Sequence, residues 1–96
     1  MYGLIGKIKA AAGKRDELAQ ILLEGLRNMA GNLSYVVAVD PGEPDVLWVT
    51  EVWSGIEAHQ ASLSLPSVQE AIRRGRPLIA EMHRIAETHP IGGHGI

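Results

Sequence analysis

Cysteine is absent from the 96-residue chain. That excludes a disulfide scaffold, a thiolate metal site, an iron–sulfur cluster and a cysteine nucleophile, and it fits a cytoplasmic location. Phenylalanine is absent too; two Trp and two Tyr are the only aromatics, so the position of each carries information. Basic charge is not in excess. The net charge is −2 and the isoelectric point about 6.0, which argues against a nucleic-acid partner, since such proteins carry a basic stripe. No apolar run approaches the ~18 residues that span a bilayer. Met1 to Lys7 lacks the charged start and apolar core of a signal peptide, so no membrane association is expected. Neither nucleotide-binding glycine pattern is present, because Gly3-Leu4-Ile5-Gly6 lacks the further glycines and no Gly-x-x-x-x-Gly-Lys occurs. His83, His89 and His94 are not spaced to share a helix face, and no metal site is expected from them.

What is present is an ordinary globular composition, 46% hydrophobic and 21% charged, in a length that suits one domain over residues 1–96. Tyr2 to Lys9, rich in Leu4, Ile5 and Ile8, reads as a strand. From Lys14 to Met29 the residues Leu18, Ile21, Leu22, Gly25, Leu26 and Met29 recur at helical spacing. Asp16 and Glu17 sit where the dipole of that helix favours anions, and Gly31 is its expected stop. Leu33 to Val39 is a second strand and Val46 to Trp53 a third. Asp40-Pro41-Gly42-Glu43-Pro44-Asp45 between them forbids a ladder and makes a hairpin turn. Ser54-Gly55-Ile56-Glu57 reads as a capping box opening a second helix, with a restart at Pro66, where proline suits a first helical position. Val68, Ala71, Ile72, Gly75, Leu78, Ile79 and Met82 extend its apolar stripe, and Pro77 marks a kink or an early end. Arg84 to His89 reads as a last strand, followed by a loose tail over residues 90–96.

The order β-α-β-β-α-β predicts an α+β fold, the ferredoxin-like sandwich, with a four-stranded antiparallel sheet carrying its helices on one face. Strand alternation then puts Val46, Trp48, Thr50 and Val52 on one side and Leu47, Val49, Glu51 and Trp53 on the other. Both sets are mainly apolar, and the second strand behaves similarly. Helices cover one face only, and soluble monomers avoid apolar patches of several hundred Å², so a homodimer joined sheet to sheet is expected. Either Val37 or Val49 is a candidate for the face that meets the second copy.

Four residues are candidates for chemistry by placement alone. His59 lies in the first turn or so after Ser54, Glu51 and Trp53 share a strand face, and Tyr35 lies on the neighbouring strand. Together they would give a cavity an imidazole, a carboxylate, an indole and a phenol. A histidine that titrates near neutrality beside aromatic walls suits proton abstraction from a flat phenol. The alternative leaves His59 on the helix surface and Trp53 in the core. Glu51 in an apolar strand needs a partner or water. An ion pair with Arg73, Arg74, Arg76 or Arg84 is one reading, and a wet pocket or dimer edge is the other.

The run Ile8-Lys9, then Gly13-Lys14-Arg15-Asp16-Glu17-Leu18, then Glu51-Val52-Trp53, Glu57-Ala58-His59 and Pro66 resembles the antibiotic biosynthesis monooxygenase (ABM) domain, a dimeric α+β barrel family, over about Met1 to His89. The resemblance implies cofactor-independent oxidation of quinols or polyketide anthrones by O2. It implies that Trp53 lines the substrate pocket and His59 faces it, where some polyketide-oxidising members carry tyrosine. Arg73 matches, with no gap, an arginine that such members place near the substrate. The asparagine those members carry four residues before the tryptophan is Val49 here, a departure that tells against a polyketide anthrone. The Asn-Trp-His set of haem-degrading relatives would fall near Lys7, at His59 and at Ile72, so haem breakdown is not implied.

Two classes of function follow. One is a monooxygenase without a cofactor, acting on a quinol or similar small aromatic, with His59 as catalytic base and Trp53, Tyr35, Glu51 and Arg73 around the substrate. The other is a non-catalytic or stress-related dimer that binds a small apolar ligand in the same cleft.

Overall fold

The computed structural model describes residues 1–96. Four strands, β1 (Tyr2–Ala10), β2 (Asn32–Val39), β3 (Val46–Trp53) and β4 (Ile79–Thr88), alternate with α1 (Arg15–Gly25), α2 (Ile56–Ser62) and α3 (Pro66–Gly75). The sheet order is β2-β3-β1-β4 and every neighbouring pair is antiparallel. This is the ferredoxin-like α+β fold that the element order predicts. The turn over Asp40 to Asp45 closes the β2–β3 hairpin, and its geometry has a cause. The Asp40 carboxylate accepts from the backbone N–H of Gly42 and of Glu43 and from the Trp48 indole, an Asx-type turn reinforced from the strand it leads into.

Several boundaries differ from the sequence reading. The first helix ends at Gly25 rather than running to Met29 and Gly31. A Cβ on Gly25 would lie 2.5 Å from the Ala71 Cβ, so a glycine is what allows α1 and α3 to approach there. Met29 still reaches the core, but from the loop. Ser54 does not cap α2: Gly55 occupies that position, and no side-chain cap forms. Pro66 opens α3 as expected. The chain leaves α3 at Gly75 through a short 3-10 turn over Arg76–Leu78 that contains Pro77. Proline removes a helical donor and clashes with the preceding turn, so Ile79 and Met82, which continue the helical stripe in sequence, lie in β4 instead.

The register decides which residues meet the helices. Tyr2, Leu4, Gly6 and Ile8 of β1 pair with Trp53, Glu51, Val49 and Leu47 of β3, and Tyr35, Val37 and Val39 of β2 share that face. Val37 and Val49, each a candidate for a partner-facing position, therefore both point at the helices. The opposite face carries Ile5, Lys7, Val36, Ala38, Trp48, Thr50 and Val52, with no element of the chain over it. Residues 90–96 form neither strand nor helix, and Ile91 is fully exposed.

A candidate active site between helices and sheet

The buried apolar residues do not form one block. Tyr2, Leu4, Met29, Trp53 and Val68 make one cluster, and Ile8, Ala10, Leu18, Leu47 and Val49 make another, with Tyr35 packed against both. Between them lies a cavity of about 750 Å³, walled by the covered sheet face and by all three helices. That volume is within the range of small-molecule sites.

His59 projects from the middle of α2 into one end of this cavity. Its imidazole lies 5.4 Å from the Trp53 ring in an edge-to-face contact and 5.6 Å from the Tyr2 ring. Both are ordinary aromatic packing distances. No side chain hydrogen-bonds the imidazole, so two rings orient it while its nitrogens keep their capacity. Ser62 stiffens the helix beneath it, its hydroxyl donating 2.6 Å to the His59 carbonyl oxygen.

Each ring beside His59 is tied to a carboxylate. The Trp53 indole N–H donates to Glu51 Oε1 at 3.0 Å. The polar group that the sequence leaves without a partner is thus held by the indole two residues on, which projects from the same strand face; no arginine pairs with it. The Tyr2 hydroxyl donates to Glu87 Oε1 at 3.1 Å, and Arg84 donates to that same oxygen at 2.6 Å. Burial, then the hydrogen bond to Glu87, holds the Tyr2 hydroxyl above the ordinary phenol range. Burial raises Tyr35 further, with the Glu51 charge adding to it. Both phenols therefore keep their protons near neutral pH; the Tyr2 proton is given to Glu87 in that hydrogen bond, and the Tyr35 hydroxyl keeps one to donate.

Of the residues singled out in the sequence, His59, Trp53, Glu51 and Tyr35 line this one cavity. Arg73 does not. It stands exposed on α3, held by Glu70 one turn back through two hydrogen bonds of 2.9 and 2.6 Å. Arg76 and Arg84 are the arginines at the cavity wall. Sequence reading missed Tyr2, Glu87 and Arg84 as a linked set. Tyr2 faces Trp53 only because β1 and β3 are adjacent in the register found, and nothing in the local sequence signals that pairing. Nowhere do three His, Asp or Glu side chains gather as a metal-ligating group. No helix is long and apolar enough to cross a membrane.

Comparison with known proteins places the chain and its fold. A candidate antibiotic biosynthesis monooxygenase from Chloroflexus aurantiacus J-10-fl is 62% identical, with a TM-score of 0.92 over 99% of this chain and 97% of its own. Another, from Deinococcus radiodurans, is 26% identical, with a TM-score of 0.80 over 100% of this chain and 98% of its own. A Bacteroides thetaiotaomicron protein described as a possible oxidoreductase is 16% identical and shares the fold, with a TM-score of 0.80 over 91% of this chain and 94% of its own. No curated protein matches the chain. Residues 1–74 match the family described as Antibiotic biosynthesis monooxygenase. With that match spanning most of the chain, and a relative of high identity aligned from end to end, the chain belongs to the antibiotic biosynthesis monooxygenase family.

Proposed function

We propose that this chain is a cofactor-independent monooxygenase that oxidises a quinol or similar small aromatic with O2. The observation that carries the reading is the His59 imidazole, free of protein hydrogen bonds and held between two aromatic rings at the wall of a 750 Å³ apolar cavity. A phenol seated against Trp53 would bring its hydroxyl within reach of His59 as general base, while the Tyr35 hydroxyl could donate to the second oxygen. Proton removal makes the ring electron-rich enough to pass an electron to O2. The radical pair joins at a ring carbon as a peroxide, which loses water. One oxygen atom remains on the product quinone and the other leaves as water, all four electrons coming from the substrate. The protein's part is to orient the ring, exclude water and stabilise the phenolate. Arg84 and Arg76 take the place expected of Arg73 as cations near the bound anion.

The same reading includes a second copy of the chain on the open sheet face. Val36 is half exposed there and neighbours Ala38, Thr50 and Val52, a surface that a partner sheet would cover.

Oxygen uptake with a panel of hydroquinones tests the catalytic reading. His59→Gln is expected to lower kcat by about 10²–10⁴-fold, as removal of a positioned base does, with the melting temperature little changed. Uptake no faster than autoxidation, or a rate indifferent to His59, would leave the ligand-binding alternative standing.

A further inference from the structure

The cavity is chemically uneven along its length. Trp53, His59 and Glu51 line the end near the start of β1, whereas Ile8, Leu18 and Ile79 line the other. On its floor, between Leu4 and Ile8 and opposite Val49, sits Gly6. A strand interior is a poor place for glycine, which weakens the ladder and packs nothing. Its backbone does not require it, for Gly6 is not among the residues with positive φ. The register with β4 shifts between Ile5 and Gly6, but that irregularity asks for no left-handed conformation. Packing does not require it either. A Cβ built on Gly6 meets only the carbonyl oxygens of His83 at 3.7 Å and Val49 at 3.9 Å, ordinary contacts, and no side chain within 4 Å. What lies above Gly6 is space. Gly6 lines the cavity between residues of its aromatic end and residues of its aliphatic end, and adds no side chain to either core cluster.

From Leu4 to Ile8 the floor runs about 13 Å, at about 3.3 Å per strand residue. That is longer than a single phenol ring needs. The far end opens past Met82, which is 62% exposed. A tail that outgrew the cavity would therefore have an exit rather than a wall.

We propose that the substrate is a quinol carrying an apolar tail: the ring lies at Trp53 and His59, the tail crosses Gly6 toward Ile8, Leu18 and Ile79, and Gly6 is the residue that admits it. The inference rests on the reading of the aromatic end as the ring site, but it concerns binding and can be tested without turnover. The probes are a methyl-naphthoquinone, its octyl-substituted counterpart and the butyl homologue between them, each in the oxidised form and titrated calorimetrically. Each methylene that leaves water is worth about 3–4-fold in affinity. With some of the chain near the opening, the octyl compound is expected to bind wild type at least about tenfold more tightly than the methyl compound, with the butyl compound between. Gly6→Val, a residue that suits a strand, fills the passage. It should erase that difference, so that the methyl and octyl compounds bind the folded variant within about threefold of each other. Gly6→Ala should do so in part, and it serves if the valine variant does not fold.

Equal affinity of wild type for the three compounds overturns the tail and leaves the ring site intact. A tail preference that persists in the folded Gly6 variants overturns the role of Gly6. Binding of none of the compounds overturns both the tail and the ring site. A tail preference without oxygen uptake on the reduced compounds supports this inference and removes only the catalytic reading.

Discussion

The two faces of the sheet are built from similarly apolar strands and meet opposite fates. On the covered face Leu47 and Trp53 are almost completely buried. The open face, one residue away along each strand, leaves Val36 half exposed and places Lys7 over the Trp48 ring at 5.5 Å. The covered side is a core with a deliberate gap in it. The open side pairs an apolar half with a charged half in which Lys7 meets Glu43 and Lys9 meets Glu81. An apolar strand residue is therefore not by itself a core residue; what covers it decides. The period of two along a strand makes the assignment all-or-none, since a shift of one residue would exchange the two sets.

Three measurements test that contrast. Leu47→Ala on the covered face should destabilise the fold by about 2–5 kcal/mol, through lost transfer energy and an unfilled void. Urea unfolding measures it, and a cost below about 1 kcal/mol would mean that this face is looser than its burial suggests. Val36→Lys on the open face has an effect that depends on a second copy. If two sheets press together there, the unpaired buried charge should dissociate them at a cost of several kcal/mol. Light scattering would then shift from about 20 kDa toward the 10.3 kDa of one chain. If the wild type already scatters as one chain, the substitution should change stability by less than about 0.5 kcal/mol and the partner sheet is ruled out.

The smallest effect belongs to the rim of the open face. The Trp48 indole, with the backbone N–H groups of Glu43 and Gly42, holds the Asp40 carboxyl down at about 2. Because the folded value lies below the unfolded one, the stabilisation is present above about pH 4 and is lost as pH falls toward 2. Asp40→Asn should flatten the acid limb of stability against pH without moving the neutral plateau much, as followed by urea midpoints across that window. An unchanged acid limb would mean that the turn does not depend on the charge.

Much of this fold was legible because the signals were local. The β2–β3 hairpin follows from two β-rich runs around a proline- and glycine-containing turn, and its strand ends fall within a residue of expectation. The restart at Pro66 follows from the chemistry of proline. The errors arose where a local signal competed with packing. The apolar period of α3 continues through Ile79 and Met82, but proline geometry ends the helix first. Ser54 and Glu57 have the spacing of a capping box, yet the chain enters α2 through an extended Gly55. The site divides the same way. His59, Trp53, Glu51 and Tyr35 could be named because strand alternation and hairpin pairing gather them. Arg73 could not be judged, since its neighbour Glu70 lies on its own helix and draws it along the surface. The Tyr2–Glu87–Arg84 link depends on pairs 85 and 3 residues apart in the chain, brought together by β1 and β4.

By itself the sequence determined the order of strands and helices, most of their extents apart from the first half of β4, and which side chains share a strand face, because propensity, proline and alternation act over a few residues. Only the tertiary structure decided which of two apolar faces the helices cover, that Trp53 rather than an arginine holds Glu51, and that Gly6 lies on the floor of the cavity with no side chain above it. Those outcomes depend on strand neighbours far apart in the chain, and burial is a property of the whole packed sheet rather than of any segment in it.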